Sequence, residues 1–208
     1  MPTVLRSVRA VMAAAIVVAL TYQLVRTLRD TDLGIVSFFS YFTVLSNVGA
    51  AVALAALAVR PDLSSDRRFA PVRGAITLYM SITFLVYNVL LAPASADVGL
   101  TARWVDVVVH VVGPLVVVLD WIVDPPRRRL STRVVAAWMI FPAAYFAYSL
   151  IRGPIVDWYA YPFLDPNQHS YLVIAVYAVV ILGVFVLVAL ALRWWAGRRV
   201  LRPAQIIP

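Results

Sequence analysis

Apolar residues run along this chain in six blocks, each separated from the next by a short polar stretch. The blocks cover roughly Val4–Val25, Ile35–Val59, Val72–Leu91, Arg103–Val123, Arg133–Ile151 and Ser170–Trp194. A helix of about 20 residues, rising 1.5 Å per residue, crosses a hydrocarbon core about 30 Å thick. Each block has that length. The connections, such as RPDLSSDRRFAP and DPPRRRLST, are rich in Pro, Asp and Arg, which end helices. The pattern predicts an all-α fold: a polytopic membrane protein whose residues 1–208 form a single six-transmembrane-helix bundle without a soluble domain.

Composition agrees with that solvent. Of the 208 residues 63% are hydrophobic and 13% charged, where a soluble domain of this size carries about a quarter charged. Net charge is +8, with every cation an arginine and every anion an aspartate, a usage typical of a GC-rich genome. Fourteen of the 18 arginines fall on one side of the predicted bundle. They flank the start of the first block, the second and fourth connections and the end of the last block. The positive-inside rule then expects both termini in the cytoplasm, and the basic charge reads as topology, not as a nucleic-acid surface. The first block has basic flanks like a signal peptide. Its length and the poor cleavage context Tyr22-Gln23-Leu24 favour an anchor. Absence of cysteine excludes disulfides, thiol nucleophiles and thiolate-held metals.

Polar residues inside the blocks are then the informative ones, because an ionisable group at membrane depth is costly. His110 lies in the fourth block one helical turn after Asp106, and Gly113, Val117 and Asp120 continue the same stripe. At i and i+4 the carboxylate can hold one ring nitrogen and leave the other free as a base. The pair equally suits a structural interhelical bond. The second block carries Ser40, Thr43 and Asn47 on one face, with Ser46 at its border. Counted along a continuous helix, Thr43 sits about 12 Å and His110 about 10 Å from the outer end. They share a level. Thr43 is a candidate nucleophile, or a hydroxyl bonding back to the Phe39 carbonyl; Ser46 and Asn47 are candidate oxyanion donors, or helix–helix glue. The third block adds Thr77, Ser81 and Asn88 with Tyr87 alongside, and the fifth adds Tyr145, Tyr148, Ser149 and Arg152. Arg152 can meet a substrate carboxylate or snorkel to the interface. Pro114 and Pro142 kink their helices and open space. His110 and His169, the only histidines, make a poor metal set.

Three stretches occur together in this order: FSYFTVLSN (Phe39–Asn47), WVDVVVHVVGPLVVVLDW (Trp104–Trp121) and WYAYPFLDP (Trp158–Pro166). In them the chain resembles a bacterial member of the six-helix family of the androgen-induced protein and the androgen-dependent TFPI-regulating protein. The resemblance implies a threonine hydrolase of fatty acid esters of hydroxy fatty acids. Its threonine falls on Thr43 and its histidine on His110, and no cofactor or metal is implied. The expectation is an intramembrane lipid ester hydrolase, open to the outer leaflet of a bacterial cytoplasmic membrane. Thr43, His110 and Asp106 would be catalytic, and Ser46, Asn47, Asn88, Tyr87, Tyr148 and Arg152 would surround the substrate. The partners are then a fatty acyl ester and the bilayer, without nucleic acid and with the oligomeric state open. Two rivals remain: an amphiphile transporter whose path continues to Asp120, and a structural subunit.

Overall fold

A computed structural model describes residues 3–92 and 101–200, and all regular structure within them is helical. Six helices are long and apolar enough to cross a membrane: α1 Thr3–Asp30, α2 Phe42–Val59, α3 Phe69–Leu91, α4 Arg103–Val123, α5 Thr132–Val156 and α6 Tyr171–Val200. Helix ends follow local chemistry. Asp66 accepts the backbone N–H groups of Arg68 and Phe69 at 2.8 Å each and so caps the start of α3. Those bonds hold its carboxyl below the usual range. Ser131 likewise accepts from Val134 at the start of α5.

Two blocks expected to be continuous are broken. The second splits into a short helix, Ile35–Phe38, and α2, with Tyr41 extended between them. Ser40 drives the break: its hydroxyl bonds back to the Val36 carbonyl at 2.7 Å and its own carbonyl accepts the Tyr145 hydroxyl. Thr43 is therefore the second residue of α2, and the depth expected from an unbroken helix does not apply. α5 is interrupted at Trp138–Met139, just before Pro142. Proline has no N–H for the Trp138 carbonyl, and the Tyr79 hydroxyl fills that place at 2.9 Å. Elsewhere the helices outrun the apolar blocks, α1 by five residues to Asp30.

Packing follows side-chain size. Ala13 and Ile16 of α1 meet Ala50, Ala51 and Leu54 of α2, with Met80 of α3 and Val117 of α4 completing this cluster. Small residues let the helix backbones approach, which is how apolar helices associate without a solvent to drive them. The second cluster is aromatic and lies around α3, α5 and α6, with Phe42, Trp121, Trp138, Phe163 and Phe185 among its buried members. Gly74 makes room for it, since a Cβ there would run into the Trp138 ring. α6 is tied at the arginine-rich end, where Trp121 donates to the Leu192 carbonyl and Trp195 to that of Ile122.

Inside that same end four charges close on one another. Asp120 accepts from Arg9 at 2.6 Å and from Arg73 at 2.7 Å, and Arg9 also reaches Asp124 at 2.8 Å. Arg73 donates further to the backbone carbonyls of Asp120 and Asp124. Side-chain exposure of Arg9, Arg73 and Asp120 is 0%, 3% and 5%, so water does not share the load. Removing one member of a buried pair costs about 3–5 kcal/mol, whereas exposed pairs contribute little. Asp120→Ala is expected to lower the unfolding free energy in detergent micelles by about that amount. Asp62→Ala, at the exposed pair with Arg60, should leave the transition in place. A Asp120→Ala transition matching wild type would show that the lock is dispensable.

Candidate functional site

The opposite end of the bundle holds the residues singled out above, in two groups. The first surrounds Thr43. As the second residue of α2 it has a backbone N–H with no partner inside the helix. The Tyr161 hydroxyl takes that N–H at 3.3 Å and lies 3.4 Å from Thr43 Oγ. Tyr161 belongs to the segment between α5 and α6, which turns at Asp157 in the left-handed region (φ 48°). Gly153 makes the turn possible, because any Cβ there would strike the Tyr159 ring. The Tyr161 ring is buried, stacked on Phe163 with centroids 5.3 Å apart and met edge-on by Tyr41. Burial pushes its phenol above the ordinary tyrosine range.

A cavity of about 360 Å³ lies beneath Thr43, a volume in the range of ligand pockets, about 300–1,000 Å³. Thr43, Thr83, Tyr87, Tyr145 and Tyr161 are the hydroxyl-bearing residues that line it; among the described residues no charged side chain does, and the remaining wall is apolar. Val179 and Leu182 of α6 line it while being 69% and 52% exposed. The cavity therefore reaches the lateral surface of the bundle along α6.

The second group is built by an irregular helix. Pro114 cannot donate, and a π turn over Val108–Val112 precedes it in α4. In that turn the Gly113 N–H goes to the Val108 carbonyl. The Val109 carbonyl thus loses its i+4 donor to Val108 and its i+5 donor to proline. Asn47 of α2 replaces them at 3.0 Å. The turn carries His110, whose Nδ1 lies 2.8 Å from Asp106 Oδ1. Tyr87, in the π turn ending α3, donates its hydroxyl to the other oxygen of Asp106 and stacks on the imidazole, centroids 3.9 Å apart and planes 7° from parallel. His110 Nε2 has no hydrogen-bond partner among the described residues.

The predicted site residues separate accordingly. Asp106, His110 and Tyr87 form one triad. Thr43 is joined to Tyr161, and among the described residues no hydrogen bond links it to His110. Tyr87 is their shared neighbour, lining the Thr43 cavity with its ring against His110. Asn47 cannot serve an oxyanion: both amide hydrogens are committed, to the Thr43 carbonyl at 2.9 Å and to Val109. Its Oδ1, buried and unpartnered, faces away towards Gly113 and Ile16. The one proton of Ser46 goes to the Thr43 carbonyl, and Thr83 lies 2.9 Å from its oxygen. Asn88 is exposed and bonds back to Phe84. Tyr148 pairs with Ser40 at 2.7 Å. Arg152 donates to Ser37 and lies over the Trp158 ring, on the rim and not on the cavity wall. Thr77 and Ser81 also bond back to their own helix. Asp120 lies in the charge lock and lines no cavity path.

Sequence reasoning passed over Thr83, named Tyr145 only among the polar positions of its block, and gave Tyr161 no role. For Tyr161 the signal was the WYAYPFLDP stretch itself, whose aromatic density in a connecting segment marks a buried plug. No family model, curated protein or solved structure matches the chain.

Two expectations follow. Asn47→Ala orphans the Val109 carbonyl and should lower unfolding free energy by about 1–3 kcal/mol, read by thermal melting in detergent; an unshifted melt would show the carbonyl satisfied elsewhere. The second concerns pH. Tyr161 titrates higher folded than unfolded, so the stabilisation it carries is complete below the unfolded tyrosine pKa of about 10 and is lost as pH rises from there through the higher folded value. Melting temperature should fall more steeply above about pH 10 in wild type than in Tyr161→Phe. Parallel curves would contradict the burial assigned to the phenol.

Proposed function

We propose that this protein is an integral membrane hydrolase of lipid esters, as its resemblance to the androgen-induced protein family implies. The observation that carries the reading is the position of Thr43, one of the few polar residues lining an otherwise apolar cavity that reaches the lateral surface. A fatty acyl chain in that cavity would bring its ester carbonyl to the hydroxyls. Fatty acid esters of hydroxy fatty acids, or similar esters, have the necessary shape. With the arginine-rich end in the cytoplasm of a bacterium, both termini are cytoplasmic and the substrate enters sideways from the outer leaflet.

Chemistry assigns the roles. Thr43 Oγ attacks the ester carbonyl carbon, its proton passing to Nε2 of His110. Asp106, on Nδ1, fixes the tautomer that leaves Nε2 free to accept. The proton then goes to the departing alkoxide, leaving an acyl-threonine. Water cleaves that ester, releasing the acid and restoring the hydroxyl. Tyr161 holds Thr43, so the transfer to His110 requires Thr43 or Tyr87 to move as the ester binds, in keeping with catalytic bonds that tighten only in the complex.

That separation of Thr43 from His110 favours a second reading, an amphiphile-binding protein that uses the same cavity. Passage onward to the other leaflet is opposed by the closed charges around Asp120. An alkyl fluorophosphonate in proteoliposomes distinguishes the two. The hydrolase should label at Thr43, Thr43→Ala should take none, and His110→Ala should label on the order of 10²–10⁴ slower. Undiminished labelling of Thr43→Ala ends the nucleophile assignment. Wild type that binds a fluorescent fatty acid in this cavity but never labels is a binding protein.

A further inference from the structure

The connecting segment between α5 and α6 contributes one buried hydroxyl, that of Tyr161, and among the described residues it is the hydrogen-bonding partner of Thr43 Oγ. We infer that Tyr161 is a catalytic residue of the proposed ester hydrolysis, its phenol O–H donating to the carbonyl oxygen as that oxygen becomes negative. The inference rests on the hydrolase reading above and adds to it the group that receives the charge.

Elimination and geometry both lead there. A tetrahedral intermediate on Thr43 needs a donor within hydrogen-bond reach of the former carbonyl oxygen, which is held one bond from the carbon bound to Oγ. The amide hydrogens of Asn47 and the proton of Ser46 point at backbone carbonyls. Thr83 shares a hydrogen bond with Ser46. Tyr145 gives its proton to the Ser40 carbonyl. Tyr87 gives its proton to Asp106, which leaves Tyr161, whose hydroxyl faces Thr43 itself. Its oxygen accepts the Thr43 N–H at the buried start of α2, and a phenol that accepts one hydrogen bond becomes a stronger donor of its own. The N-terminal end of α2 also favours negative charge at this point.

Its setting is rigid where an oxyanion donor needs to be. Phe163 stacks on the ring within 5° of parallel and Tyr41 closes its edge. Donors fixed in advance, in a site with little water, stabilise developing charge without reorganising. When the carbonyl enters beside Thr43 Oγ, the phenol O–H points to the carbonyl oxygen. Oγ is then free to attack while its own proton leaves for the base. No atom is gained or lost by Tyr161: it donates a hydrogen bond through the intermediate and ends as it began.

The test is full-length protein in proteoliposomes with a short-chain p-nitrophenyl ester and the alkyl fluorophosphonate. Tyr161→Phe keeps the stacked ring and removes only the hydroxyl. It should reduce kcat on the order of 10²–10³-fold, the usual effect of losing one oxyanion donor, with KM changed less than about twofold as expected for an interaction made only in the transition state. Incorporating 3-fluorotyrosine at position 161, which retains the phenol as a somewhat more acidic donor, should restore the rate. A structural role would give a raised KM or a lost melting transition and no restoration by the fluorinated phenol. Wild-type kcat in Tyr161→Phe, with Thr43 labelled in wild type, overturns the assignment of Tyr161 alone. Wild type that neither labels at Thr43 nor turns over the ester overturns the hydrolase reading with it.

Discussion

The arrangement depends on how Asp120 is neutralised. An aspartate in the buried part of an apolar helix is stable only beside compensating charge, and two arginines from separate helices supply it. Arg9 brings α1 to α4, and Arg73 brings α3. Because Asp124 accepts from Arg9 and the helix-end carbonyls from Arg73, the cluster balances two cations against two anions with donors and acceptors matched. Lipid offers nothing equivalent, so these three helices have one register in which the charges meet. That register sets where the remaining length of each helix arrives, and so where Asp106 and Tyr87 stand at the far end.

A second constraint operates there. Backbone polar groups cannot be left to lipid, so each irregularity in a spanning helix has to find a partner. Pro114 forces the π turn of α4, the turn frees the Val109 carbonyl, and Asn47 accepts the duty of satisfying it. The same event shifts the following residues around the helix relative to a regular one and turns His110 onto Tyr87. The break before Pro142 in α5 is satisfied by Tyr79 in the same manner. Polar residues that look like a catalytic stripe are therefore divided between two tasks. Those with amides, and Ser46, mend backbone; those that retain an uncommitted hydroxyl or ring nitrogen are Thr43, Tyr161 and His110.

That division explains how much could be read from the chain. The six spans were legible because hydrophobic length is a property of each segment alone. Asp106 with His110 was legible because both lie on one helix, one turn apart. The fate of Asn47 was not, since residue type gives the donors but not their destination, which lies 62 positions away at Val109. Arg9 was legible only as a basic flank, because its partner comes 111 positions later. The break at Ser40 was concealed by apolar neighbours that suit a helix on either side. Tyr161 stood in a connecting stretch, where periodicity carries no information about burial.

One consequence joins the two ends of the molecule. The arginine-rich end has α6 fastened by Trp121 and Trp195 and has its charges closed. At the other end the segment after α5 folds inward through Tyr161, Phe163 and Leu164, all buried. Both axial exits of the cavity are thus occupied, one by charge and one by aromatic packing, and the open wall is the apolar one along α6. A molecule reaching Thr43 by that route passes no charged side chain among the described lining residues. Under the hydrolase and the binding proposals alike, that route suits a long apolar ligand with a neutral polar group, as an ester is.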